Sequence, residues 1–153
     1  MKATRRDVLA GSIAVAASAA AGGVAQAASR NVLDDHDALG LAELVKTKQV
    51  SASELLEASI ARAEAYNPRF NFMAHKLYER ARAAVAKGVP EGPFQGVPWL
   101  IKDLNTNIAG ELTEQGSRLF KGNRATVTSE LVKRQERAGL VIFGKTTSPE
   151  FGL

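Results

Sequence analysis

Two hydrophobic periods alternate along this chain, and their order sets out an architecture. Leu39, Leu41, Leu44 and Val45 fall near one side of a segment that Asp37 can cap and that runs to Lys48, which predicts a helix with Lys46 and Lys48 in its last turn. Ser51 and Glu54 then stand in capping-box spacing. The run "ELLEASIARAEAY" to Tyr66 predicts a second helix burying Leu55, Leu56, Ala58, Ile60 and Ala63, ended by Asn67-Pro68. Phe70 to Ala74 reads as a short strand and Lys76 to Lys87 as an alanine-rich helix closed by Gly88. Glu130 to Ala138 reads as a further helix, capped by Thr128 or Ser129 and closed by Gly139. Two other runs are apolar without any period: Trp99 to Ile101, followed by Lys102, and Leu140 to Phe143, bounded by Gly144. Fully apolar strands alternating with helices predict an α/β layer whose sheet is covered on its faces.

The connections carry their own signals. "GVPEGPFQGVP", residues 88–98, is a glycine- and proline-rich loop that delivers the chain into Trp99. The passage between Asp103 and Glu130 is long, polar and nearly aperiodic, and loops of that length inside a domain are commonly functional. The final stretch "GKTTSPEFGL" follows directly on a strand. Two or three strands are too few for a doubly covered sheet, and a short sheet leaves an unpaired edge, so the chain reads as the front of something larger.

Composition narrows the setting. The 153 residues are 45% hydrophobic, a globular value. Residues 1–27 have a short basic start, an Ala/Gly/Ser/Val run and small residues at Ala25-Gln26-Ala27, the order of parts in a secretory signal cleaved after Ala27. Arg5-Arg6 within "TRRDVL" resembles the twin-arginine signal, which predicts export in the folded state to the periplasm or beyond, with no stable membrane anchor. The mature portion is then 28–153. Discounting Lys2, Arg5, Arg6 and Asp7 brings the net charge of +4 down to about +2, so a nucleic-acid partner has no electrostatic support. With no cysteine, disulfides and thiolate chemistry are excluded. Oligomeric state has no signal in the sequence.

Most motif matches fail on physical context. "GLVIFGKT", Gly139 to Thr146, has the spacing of a phosphate-binding loop, but its inner residues are themselves the predicted strand and Pro149 blocks the helix such a loop must open. His36 and His75 are the only imidazoles and lie far apart, which supports neither a metal site nor a Ser-His-Asp arrangement. Ser117, in "QGSR", reads as shaping its loop, although it could face a pocket. Lys102 differs from these. An ammonium behind three large apolar residues must either find a partner or lose its proton, so it is a paired structural residue or a working one. Pairing with Asp103 is disfavoured, because adjacent strand residues point to opposite faces.

Three blocks, "GPFQGVPWLIKDL", "AGELTEQGSRLFKG" and "ATVTSELVKRQERAGLVIFGKTTSPEFG", together with the helix "SASELLEASIARAEAYNP", resemble the amidase signature family of serine hydrolases over about Asp37 to Leu153. The resemblance implies an α/β/α fold with a mixed sheet, of which this chain is the amino-terminal part, and cleavage of amide bonds other than peptide bonds in a small-molecule substrate. It implies a Ser-cisSer-Lys triad without metal or cofactor, in which Lys102 matches the catalytic lysine. The two serines of that triad belong to a Gly/Ser-rich segment that lies beyond "PEFG" in the family, so this chain supplies the lysine alone and is expected to be inactive by itself. The competing reading is a non-catalytic exported binding or interaction module descended from such an enzyme. A nucleotide-binding module depending on Lys145 is a distant third.

Overall fold

The computed structural model describes residues 32–153. The signal-like segment 1–27 and its expected cleavage point lie outside the described residues. A helical turn over 32–35 leads into α1, Ala38–Lys46, capped as predicted by Asp37, whose Oδ1 accepts the Gly40 N–H at 2.8 Å. α1 buries Leu41 and Ala42 but leaves Leu39 exposed, so only part of the predicted stripe faces inward.

α2 spans Ala52–Phe70 and opens on a complete capping box: Glu54 N–H donates to Ser51 Oγ, and the Ser51 N–H and hydroxyl both donate to Glu54 Oε2. Those two donors, the backbone one first, hold the Glu54 carboxyl below its ordinary range. A lowered carboxylate contributes stability above its unfolded pKa and loses it as pH falls through the folded value. Ser51→Ala should therefore cost about 1 kcal/mol at neutral pH and flatten the acid-side loss, checked by denaturant midpoints at about pH 7 and about pH 3.

Leu55, Leu56, Ile60 and Ala63 are buried as expected, with Ala58 half-buried. The helix runs through Pro68, past its predicted end. Proline this near the C-terminus removes one intrahelical bond only, and Asn67 on the same turn takes up the return of the chain. Its carbonyl accepts the Asn71 N–H and its Oδ1 accepts the Met73 N–H at 2.9 Å. Asn71 closes the helix at φ +48, a left-handed conformation that asparagine tolerates. The strand after it is consequently displaced from the predicted Phe70–Ala74 to β1, Met73–Lys76.

α3, Tyr78–Lys87, follows at once, and the loop then leads to β2, Pro98–Lys102. A 3-10 turn, Arg118–Phe120, lies within the long polar passage. α4, Glu130–Arg137, starts at Ser129, but neither predicted cap acts on it: the Ser129 side chain makes no capping bond, while Thr128 Oγ1 accepts from Ala109 N–H. β3, Val141–Thr146, continues through Gly144, where the sequence pattern stopped it, and a last 3-10 turn covers Glu150–Gly152.

The sheet is mixed, in the order β1-β3-β2, with β1 antiparallel and β2 parallel to β3. On one face Met73, Val141 and Phe143 pack with Leu56, Ile60 and Ala63 of α2 and Ala81 of α3. On the other, Ile101 and Ile142 pack with Val132 of α4, Ile108 and Leu77. Three strands thus carry a core on both faces, contrary to the expectation for so small a sheet, because the long polar passage folds over the second face and supplies Ile108 beside α4. A third cluster, Leu41, Ala42, Leu55 and Val97, seats α1 below the strands. Among the described residues no helix is long and apolar enough to cross a membrane.

Candidate active site

Parallel strands β2 and β3 end side by side, with Lys102 opposite Thr146, and ligands in open α/β sheets gather at such carboxyl ends. Alternation along β2 sends Ile101 and Asp103 to one face and Leu100 and Lys102 to the other. Asp103 is buried, at 2% exposure, whereas the Lys102 side chain is exposed and has no carboxylate partner among the described residues. The apolar walls expected around Lys102 are therefore not formed by these residues.

The buried ammonium belongs to another lysine. An apolar run precedes a lysine twice in this sequence, and it is the second, Val141 to Gly144 before Lys145, that leads inward. Lys145 is 0% exposed, and its Nζ donates to Asp103 Oδ1 at 3.3 Å and to the Leu112 carbonyl at 2.7 Å. So placed, Lys145 cannot reach a phosphate. Gly144 of the same motif serves packing: a Cβ there would come within 2.7 Å of Met73 Sδ and 3.0 Å of Leu100 Cδ2. "GLVIFGKT" is the central strand of the sheet and its lead-in, which removes the nucleotide-binding reading.

Asp103 gathers further donors. Glu114 N–H and Gln115 N–H both reach Oδ2, at 3.0 and 3.1 Å, and His75 Nε2 lies 3.2 Å from the same oxygen. His75 faces Lys145 across the β1–β3 ladder and stands 3.9 Å from Glu114 Oε2. His75 is thus held by the Asp103 carboxylate at the cavity wall, whereas His36 is exposed at the start of the described chain. Among the described residues no three His, Asp or Glu side chains are grouped to hold a metal ion.

A cavity of 390 Å³ opens beside this network, lined in part by His75, Glu114, Ser117, Arg118 and Lys121. Lys102 does not line it. Ser117 combines both roles considered for it: it faces the cavity and it shapes its loop, accepting the Leu119 N–H and donating to Glu150 Oε1 at 2.6 Å. Its hydroxyl is engaged on both sides, by the Glu150 carboxylate and the Leu119 N–H, and no lysine or histidine is bonded to it among the described residues, so these contacts are those of a loop-shaping serine.

Gly116, at φ +68, allows the loop to press against the segment after β3: a Cβ there would stand 2.3 Å from the Ser148 carbonyl oxygen and 2.9 Å from that of Pro149. Gly116→Ala should cost about 1–3 kcal/mol and release the Ser117–Glu150 bond, seen as a lower unfolding midpoint and faster amide exchange around Phe151, whose N–H donates to the Gln115 carbonyl.

Asp103 and the loop amides that serve it were not singled out from the sequence. The available signal was that an acidic residue, Asp103, follows one apolar run and a lysine, Lys145, the other, so that a buried pair between the two strand ends was an arrangement open to them.

Comparison with known proteins agrees with this architecture. A family model described as Amidase matches residues 54–153. The 6-aminohexanoate-cyclic-dimer hydrolase of Paenarthrobacter ureafaciens is 41% identical over 118 residues, 76% of this chain and 24% of its own length. A solved structure of 6-aminohexanoate cyclic dimer hydrolase complexed with substrate superposes with a TM-score of 0.71 at 40% identity, over 76% of this chain and 24% of the other. A bacterial aryl acylamidase of the amidase signature enzymes gives 0.67 at 32% identity, over 76% of this chain and 26% of the other. The chain spans about a quarter of the length of these relatives.

Proposed function

Because this chain belongs to the amidase signature family, we propose that it is the amino-terminal portion of an amide hydrolase in which Lys102 is the general base of a Ser-cisSer-Lys triad. In this reading neutral Lys102 takes a proton through a bridging serine, and the nucleophilic serine attacks the amide carbonyl. The new C–O bond displaces the C–N bond, and the proton returns to the leaving amine. Water then releases the acid from the acyl-enzyme. Both serines, the donors for the developing oxyanion and the apolar walls that keep Lys102 neutral come from parts of the enzyme beyond the residues described.

The observation that carries the reading is the placement of Lys102. Within the matched segment 54–153, it is an exposed ammonium without a carboxylate partner among the described residues, at the carboxyl end of a parallel strand pair. The substrate class is a small-molecule carboxamide, and the cyclic and linear dimers of 6-aminohexanoate are the first to try, on the similarity to hydrolases of that name. Export by the twin-arginine route, supported by Arg5-Arg6 and the small residues before Ala28, places the enzyme in the periplasm or outside the cell.

The test is to incubate the natively produced protein carrying this chain with those dimers, simple anilides and primary amides, following amine release and intact mass. Amine release with a transient acyl adduct supports the proposal. Neither amine nor adduct with any of them overturns it in favour of a non-catalytic module.

A further inference from the structure

The buried pair beside Lys102 has a geometry that stability alone does not require. Replacing a buried ion pair by apolar residues of similar volume is often neutral or stabilising, so its retention needs another reason. Here the carboxylate of Asp103 receives Lys145 Nζ on one oxygen, while the other is met by two consecutive loop amides and His75 Nε2. The amides converge because Gln115 and Gly116 turn the loop through left-handed conformations, φ +52 and +68, which makes a concave anion site filled by the protein's own side chain. Lys145 ties the same loop from its other end through the Leu112 carbonyl.

Four of these contacts fall on the carboxylate of the residue next to Lys102. The Asp103 N–H donates to the Thr146 carbonyl at 2.9 Å, and the Thr106 hydroxyl donates to the Lys102 carbonyl. Because neighbours on a strand point to opposite faces, turning the end of β2 about its axis swings Asp103 and Lys102 together. Asp103 cannot turn without leaving a buried carboxylate and a buried ammonium unpaired.

We infer that Asp103 is a positioning residue for Lys102: its buried carboxylate, clamped by Lys145, His75 and the Glu114 and Gln115 amides, fixes the direction in which the Lys102 ammonium leaves the sheet. The inference rests on the catalytic reading of Lys102. Misplacement of a reacting group by about 1 Å costs on the order of 100-fold in rate, which sets the scale of the effect.

The test compares Asp103→Asn and the charge-balanced double variant Asp103→Asn with Lys145→Met, both made in the natively produced enzyme. Each is assayed with the cyclic 6-aminohexanoate dimer, or with the best substrate of the panel above. The single variant leaves Lys145 buried without a counter-charge and is expected to be unstable. The double variant removes both charges and is expected to regain most of the lost stability. Positioning predicts that kcat in the double variant nevertheless stays about 100-fold down with KM changed less than about threefold. A purely structural role predicts that kcat returns with stability; recovery to within about twofold of the parent would overturn the inference. Lys102→Ala assayed alongside separates the two ideas. If that variant keeps full activity, the catalytic reading itself is wrong. If it is dead while the double variant is fully active, only the positioning role falls.

Discussion

Lys102→Ala in the full enzyme should reduce amide turnover by about 10⁴-fold or more while leaving the unfolding midpoint of this region within about 0.5 kcal/mol of the parent. The two halves of that expectation come from different observations. Loss of activity follows from removing the only group in the proposed triad able to accept the serine proton, after which no acyl-enzyme accumulates. Retention of stability follows from exposure: the Lys102 side chain lies on the surface of these residues and carries no ion pair among them. Rapid-quench measurement of the product burst is the direct check. A burst of parental size from the variant would reject Lys102 as the base, however slow the later turnover.

Lys145→Met should have the opposite profile, with a large effect on folding. It strands the Asp103 carboxylate at 2% exposure with only the two amides and His75 for compensation, and single removal of a buried partner costs about 3–5 kcal/mol. The amides place this case toward the lower end of that range. Adding Asp103→Asn removes the stranded charge, and most of the loss should be recovered, a coupling that a double-mutant cycle on guanidinium midpoints measures directly. If Lys145→Met stays within about 1 kcal/mol of the parent, the buried cluster does not hold two opposed charges.

Elements that announce themselves locally were legible in the sequence. The Asp37 cap, the Ser51–Glu54 box and four of the buried positions of α2 stand where local spacing put them. Errors arose wherever a distant partner decides the outcome. β1 starts later than predicted because α2 runs on past Pro68 and Asn67 receives the Met73 N–H, and Gly144 continues β3 because Met73 and Leu100 fill the space of a side chain. The charged cluster was the largest omission. Lys145 and Asp103 are 42 residues apart, and which of two lysines becomes buried depends on a loop whose own fold rests on left-handed residues. Lys102, by contrast, was singled out by the apolar run before it, and the role proposed for it came from family resemblance. Its exposure shows that the physical argument for a walled, partnerless ammonium does not by itself describe these residues.

The strand order also has a consequence for synthesis. β3 is the last of the three strands in sequence yet lies between the other two. β1 and β2 share no ladder, so among the described residues neither has a strand partner until Thr146 has left the ribosome. Helices α1 to α3 can form while translation proceeds, but the sheet cannot be built strand by strand. It closes in one step when β3 enters the gap, and both hydrophobic faces wait on that event. Shortly before that moment these residues expose Met73, Ile101 and their neighbours together, an interval in which this segment is open to aggregation.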